Sequence, residues 1–264
     1  MIVTLSGGLG NQCFQYAFGR SVAAQRKENL LFSRWRSWPE GDRRNYGLNA
    51  FDVDIKFLSK GDELNLAPPI FRESWGFDPK VYTAPKGSLF DGYWQTEKYF
   101  DDSLVRSDFK LSTTDWKSID AIMKAGEKSA FIHVRRGDYL ISPHKEYHGD
   151  LMETEYYSLA IDYVRERVSD CKFFIFSDDP EWCRMRFPEF AVMEPKIRGA
   201  EAEDLALMAI CEHAIIANSS FSWFGAWLAP FEGHRKRIVI APKRWFVGGP
   251  KNTQDVVPER WIRL

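Results

Sequence analysis

Apolar and polar residues along the chain change period several times, and each change marks an element. Met1–Leu5 is a mostly apolar run of strand length that ends in the turn Ser6–Gly10. From about Asn11 to Lys27, the residues Phe14, Ala17, Phe18, Val22 and Ala23 recur at the spacing of one helical face, which predicts a helix packed on a core. Leu30–Ser33 reads as a second strand, whereas Arg34 to Pro85 is irregular and rich in aromatic and turn residues. From about Asp115 the pattern becomes regular. Strands predicted at Ala130–Val134, Lys172–Phe176, Ala191–Met193, Ala214–Ala217 and Arg237–Ala241 alternate with helices over Glu153–Val168, Pro180–Arg186, Glu203–Cys211 and Ser222–Leu228. Strands alternating with helices build parallel β–α–β units, whose ligands bind at the carboxyl ends of the strands. The change in pattern near Lys110–Trp116 divides the chain into residues 1–112 and 113–264.

Composition narrows the classes. Lys plus Arg is 36 and Asp plus Glu is 37, so the net charge of −1 gives no electrostatic footprint for nucleic acid. With 264 residues the chain can bury a core without metal or disulfide staples. Its four cysteines, Cys13, Cys171, Cys183 and Cys211, form no C-x-x-C pair, which suits a reducing compartment. The start MIVTLSGGLGNQ lacks the basic-then-apolar order of a signal peptide, and no apolar run has the length of a membrane span. The expectation is a cytoplasmic protein whose membrane contact is at most peripheral, at the inner membrane face.

Four motifs carry candidate chemistry, each at a predicted strand end. Gly7-Gly8-Leu9-Gly10-Asn11-Gln12 joins a strand to a helix, where glycines admit a ligand to the backbone and Asn11 could equally be a helix cap. It matches neither the dinucleotide fingerprint nor the P-loop, since Cys13 replaces the last glycine and no Lys follows Gly10. His133-Val134-Arg135-Arg136-Gly137-Asp138-Tyr139 runs from an apolar strand into paired arginines, whose planar forks grip phosphate. A surface salt bridge with Asp138 is the alternative use of those arginines. Ser177-Asp178-Asp179-Pro180 could bind a ribose or nucleobase, or simply start a helix with Asp179 as its cap. Two adjacent acids without a third ligand make a poor metal cage. Asn218-Ser219-Ser220-Phe221 opens a helix whose first N–H groups suit an anion, while Trp223, Phe224 and Trp227 are spaced as core. Asp204 is a candidate for a guanine edge, or a helix-start carboxylate. Tyr93, Trp94, Gln95 and Glu97 mix aromatic and hydrogen-bonding groups in the manner of a carbohydrate site, or of a buried aromatic cluster. His144 and His148 read as surface histidines in a loop, and no G-x-S-x-G elbow is present.

Together, Gly7–Gln12, Tyr93–Phe100, His133–Tyr139, Ser177–Asp179 and Asn218–Trp227 resemble the α-1,2-fucosyltransferases of glycosyltransferase family 11, in order and over nearly the whole chain. The H-x-R-R-x-D pattern of His133, Arg135, Arg136 and Asp138 is similar to that of α-1,6- and protein O-fucosyltransferases as well. The Tyr93–Phe100 and Asn218–Trp227 stretches resemble the α-1,2 family itself.

The resemblance implies an α/β fold of the GT-B kind, with two Rossmann-like domains facing a cleft. Residues 1–112 would form the acceptor side and 113–264 the GDP-fucose side. It implies transfer of fucose from GDP-β-L-fucose to the 2-hydroxyl of a galactose at a glycan terminus, with inversion and without a metal or other cofactor. His133 would lie beside the guanosine, and Arg135 and Arg136 on the diphosphate. Asp204 would meet the guanine, and Asp178 and Asp179 would lie around the donor. Asn218, Ser219, Ser220 and Phe221 would form the phosphate turn, with Gly8 and Gly10 also against the donor. Asn11 would face the reacting centre, and Tyr93, Trp94, Gln95 and Glu97 the acceptor. Asp138, Glu97 and the departing phosphate are the candidates for the base. Another fucosyl linkage, or a binder of GDP-fucose without catalysis, are the alternatives.

Overall fold

The computed structural model describes residues 1–34, 46–51, 53–110, 115–194, 201–229, 237–249 and 252–264. The chain forms two compact units: Met1–Lys110 with Asn252–Pro258, and Leu111–Lys251 with Glu259–Leu264. The division read at residues 112 and 113 lies outside the described residues, as does part of the irregular stretch from Arg34.

The first unit contains β1 (Ile2–Thr4), α1 (Leu9–Arg26), β2 (Leu31–Ser33), α2 (Lys60–Asn65), β3 (Ile70–Arg72), β4 (Leu89–Asp91) and α3 (Asp102–Asp108). Its strands run in the order β2-β1-β4-β3, all parallel, with Val3 opposite both Phe32 and Phe90. The helix read from about Asn11 starts two residues earlier, at Leu9, so Asn11 lies inside its first turn. Gly8 is the cap and supplies no side-chain bond. The core of this unit is aromatic. Phe18 stacks on Trp94 with centroids 4.1 Å apart, and Phe90 and Tyr99 close around the pair. The stretch read as irregular holds α2 and β3, two elements too short to show a period.

The second unit contains α4 (Trp116–Ala125), β5 (Ser129–Val134), α5 (His144–His148), α6 (Tyr156–Arg165), β6 (Lys172–Ser177), α7 (Pro180–Arg186), β7 (Ala191–Val192), α8 (Glu201–Ile210), β8 (His213–Ile215), α9 (Ser220–Trp227), β9 (Val239–Ala241) and β10 (Ile262–Arg263). The sheet order is β10-β9-β8-β5-β6-β7 and every pairing is parallel. β5 is buried along its whole length, as a strand covered on both faces must be, which explains an apolar run without alternation. Relabelled from β5, this is the doubly wound order 3-2-1-4-5-6, in which the chain first winds outward through β6 and β7 and then crosses to β8. Loops leaving β5 and β8 therefore turn to opposite sides, and the crevice between them is where such sheets take ligands. In the first unit β4 lies beside β1, so the turns after these two strands are neighbours.

Candidate active site

The loop after β5 delivers the arginine pair to the switch point. Arg135 donates from Nε to Asp138 Oδ1 at 3.0 Å, and it pairs ionically through Nη2 with the same oxygen at 2.7 Å and through Nη1 with Asp178 Oδ2 at 3.2 Å. Burial opposes its charge, but Asp178 and Asp138 outweigh it and hold the guanidinium pKa above the ordinary value. Its side chain keeps 34% of its surface exposed, against 13% for Arg136. Arg136 lies over the face of Trp182, 3.6 Å from the ring centroid, with Nε on Asp179 at 3.2 Å. One arginine is thus offered to solvent while its neighbour is held flat against an indole.

The acidic pair explains this orientation. Asp178 accepts the backbone N–H of Arg136 at 2.9 Å through Oδ1 and faces Arg135 as an ion pair through Oδ2. Asp179 caps α7 by accepting the Trp182 N–H at 3.2 Å, with Pro180 at the first helical position, and serves Arg136 with its other oxygen. The cap and the partner of arginine are therefore one residue. Gly137 belongs to the same arrangement: a Cβ there would stand 2.5 Å from Asp178 Oδ2, so only glycine lets the carboxylate sit beneath the loop.

His133, the fifth residue of β5, is buried, and its Nδ1 has no partner among the described residues. Burial, then the charge of Arg135, lower its pKa to about 3, so the ring is neutral near pH 7. Its ring lies 5.6 Å from that of Phe221, at the start of α9. Ser219 caps α9 through a bond from the Phe221 N–H, and Ser220 and Phe221 are half-buried on its first turn. Asn218 donates from its side-chain amide to the carbonyls of His148, at the end of α5, and of Trp245, and its backbone carbonyl accepts the Tyr139 hydroxyl at 3.1 Å. Asp204 stands in the first turn of α8 with Oδ1 buried and without a partner among the described residues. Burial, then Glu203 and Glu201, raise its pKa to about 7.

His144 and His148 do not lie in a loop. They form the two ends of α5, and His148 stacks on Tyr139 with centroids 4.1 Å apart, its pKa lowered to about 4 chiefly by burial. Among the described residues no three His, Cys, Asp or Glu side chains gather as a metal site. No described helix is long and apolar enough to cross a membrane.

In the first unit, the turns after β1 and β4 meet. Gly7 has a φ of +74°, a conformation glycine adopts without cost, and a Cβ there would lie 2.6 Å from Asn11 Nδ2. Around Gly8 a Cβ would meet nothing within 4 Å, and Gly10 is buried in α1. Gln12 donates to the Gly7 carbonyl at 2.9 Å, and Gln95 Nε2 donates to Asn11 Oδ1 at 2.8 Å. Trp94 is wholly buried on Phe18, so its ring is core and not a platform for a sugar. Tyr93 and Glu97 are half-buried. Three residues of these arrangements were not singled out from the sequence. Trp182 carries a signal, an aromatic two residues after Pro180 on the helix that Asp179 caps. Gln15, which bridges the turns after β1 and β4, and Glu73, in the stretch without period, carry none.

Two parallel α/β units, the second doubly wound with paired arginines at its switch point, have the GT-B architecture of nucleotide-sugar glycosyltransferases. The fucosyltransferase NodZ from Bradyrhizobium shares this fold, with a TM-score of 0.52 at 16% identity over 87% of this chain and 92% of that one. The family model for glycosyl transferase family 11 matches residues 77–264, and the chain belongs to that family. It is 32% identical to the alpha-1,2-colitosyltransferase of Escherichia coli, over 100% of this chain and 98% of the relative. With galactoside 2-alpha-L-fucosyltransferase Sec1 of Mus musculus it is 34% identical over 37% of this chain and 27% of that protein.

Proposed function

We propose that this glycosyltransferase moves L-fucose from GDP-β-L-fucose to the 2-hydroxyl of a terminal galactose in a glycan, inverting the anomeric carbon and needing no metal. The observation that supports it best is Arg135 at the β5–β8 switch point, held between Asp138 and Asp178 yet still one-third exposed. The bond from the anomeric carbon to the β-phosphate oxygen breaks with its electron pair going to phosphate. A fixed guanidinium answers that charge without reorganising, which is the condition for strong electrostatic catalysis. Arg136, flat on Trp182, keeps its terminal N–H groups for the same diphosphate. The acceptor hydroxyl attacks from the opposite face, so β becomes α. Its proton leaves late, to a carboxylate or to the departing phosphate. Asp138 is engaged by Arg135, which makes it the holder of the arginine in this reading.

The second unit takes the nucleotide. Asp204, with an unpartnered oxygen, accepts the ring N–H and amino group of guanine, and His133 and the first turn of α9 lie along the nucleoside diphosphate. The first unit takes the acceptor through Asn11 and Gln95. A second reading is favoured by the full-length colitosyltransferase relative: a donor carrying colitose, which is fucose without its 3-hydroxyl.

Release of GDP from the two GDP-sugars, with EDTA present, across β-galactoside acceptors and a blank, tests both readings. Acceptor-dependent release from GDP-fucose, giving a product with fucose on the galactose 2-hydroxyl, is expected. Release from the colitose donor alone selects the second reading. Release that EDTA abolishes overturns the metal-free mechanism, and donor binding without release under any acceptor reduces the protein to a binder.

A further inference from the structure

Glu73 follows β3 directly and is an odd residue to find there. Its carboxylate turns inward and accepts the backbone N–H of Tyr93 at 2.7 Å and of Trp94 at 2.8 Å, and that of Gln95 as well. Three successive N–H groups curl around one anion, the geometry proteins use to bind phosphate, here filled by the chain's own side chain. The curl requires Trp94 at a φ of +57°, a left-handed conformation that a bulky residue adopts only when its surroundings impose it. Gly92 is the corresponding accommodation: a Cβ there would overlap Glu73 Cβ and come within 2.8 Å of its Oε2. Gln15 Nε2 holds the same turn from the other side, at the Gly92 carbonyl, 2.9 Å away.

The turn so fixed carries Gln95, and Gln95 sets Asn11. Because Gln95 Nε2 donates to Asn11 Oδ1, the Asn11 amide has one orientation, with its own Nδ2 left as a donor on the first turn of α1. A Gln95 that drifts would free the amide to flip and to present oxygen where it now presents N–H. We propose that Glu73 is a positioning residue for acceptor use: its carboxylate holds the turn of Tyr93–Gln95 and through Gln95 fixes the amide of Asn11. This rests on the reading that Asn11 and Gln95 meet the acceptor. Burial of the carboxylate is the largest influence on its proton affinity and raises it, against the three N–H bonds, so the group is costly to keep there. An ordinary strand-end residue would not incur that cost.

Glu73→Gln replaces one acceptor oxygen by an NH2 that opposes the N–H groups it should receive. Gly92→Ala keeps the carboxylate and pushes it off the turn, and Gln95→Ala breaks the relay one step later. Each is assayed for acceptor kcat and KM, GDP affinity by calorimetry, and melting temperature. The expected result is that Glu73→Gln and Gly92→Ala lower kcat/KM for the acceptor by about tenfold to hundredfold, as sub-ångström misplacement does. GDP affinity should stay within about twofold, and Gln95→Ala should add little in the double variant with Glu73→Gln. Normal acceptor kinetics in Glu73→Gln and Gly92→Ala beside an impaired Gln95→Ala would overturn the role of Glu73. Normal kinetics in Gln95→Ala would remove the acceptor reading of this unit and the proposal with it. Equal losses of GDP affinity and acceptor use in whichever Glu73 or Gly92 variant folds would reduce Glu73 to a structural support.

Discussion

At the scale of single residues, the two arginines of one motif have different tasks. Arg135 reaches solvent with spare N–H groups, while Arg136 lies on Trp182 and ties the loop after β5 to α7. Arg135→Ala should lower kcat by about 10²–10³, the range for losing one preorganised donor, and Arg135→Lys should recover little because a point charge cannot reach Asp138 and Asp178 in a fork. Steady-state transfer assays check both. Asp204 makes a pH-dependent claim. Its carboxyl holds a proton up to about pH 7. If it accepts both guanine hydrogens, GDP affinity must weaken as pH falls through that value, and Asp204→Asn must bind GDP weakly at every pH. The stability effect has the opposite pH sense. Between the ordinary carboxylate range and about 7 the folded chain binds a proton that the unfolded chain has lost, so stability falls as pH rises across that window. Asp204→Asn should therefore melt higher at about pH 8, by at least about 2 °C, and at the wild-type temperature near pH 4. Calorimetry at the two pH values decides.

At the scale of elements, legibility followed apolar runs framed by turn residues more than length. β5 is six buried residues and α1 eighteen, long enough for composition and spacing to show, and both were read to within two residues. β1, β2, β8 and β9 have three residues each and β7 two, yet their apolar runs between turn and helix signals gave them away, whereas β3 and β4, also of three, and β10, of two, have no such frame. The motif residues were legible because chemistry, not periodicity, marks them: adjacent arginines after an apolar strand, a proline after two aspartates. Glu73 was illegible for the converse reason, since its partners are backbone N–H groups twenty residues away and leave no mark in its neighbours. The turn before α1 allows a discriminating test. Gly8 caps the helix at φ −72° without any side-chain bond, in open space. Gly8→Ser should leave the melting temperature unchanged or raise it, through a new cap worth a few tenths of a kcal/mol. The same change should slow transfer by at least about threefold, roughly 0.6 kcal/mol, if a substrate comes close there. Loss of stability with intact transfer would return Gly8 to the role of a plain turn.

At the scale of the whole molecule, the segment Asn252–Pro258 belongs to the first unit although sequence puts it near the strands of the second. Asp255 accepts the Phe77 N–H at 2.9 Å and binds Lys98, and Asn252 donates to the Trp75 carbonyl at 2.7 Å. These bonds are between residues more than 150 positions apart, and no local pattern could announce them. Asp255→Ala takes the acceptor from an exposed ammonium and an exposed N–H and should cost about 0.5–1.5 kcal/mol, read as a lower urea midpoint. The same segment sets the order in which the protein can be finished. A ribosome delivers residues 1–110 first, but that unit lacks one of its pieces until residue 258 has emerged, and by then nearly all of the second unit has been made. Neither half is a cassette that could be cut out, exchanged with a relative or shuffled by recombination at a single junction. A chimera that swaps the second unit must carry two splice points around residues 252–258, or it inherits a first unit built for a different clasp.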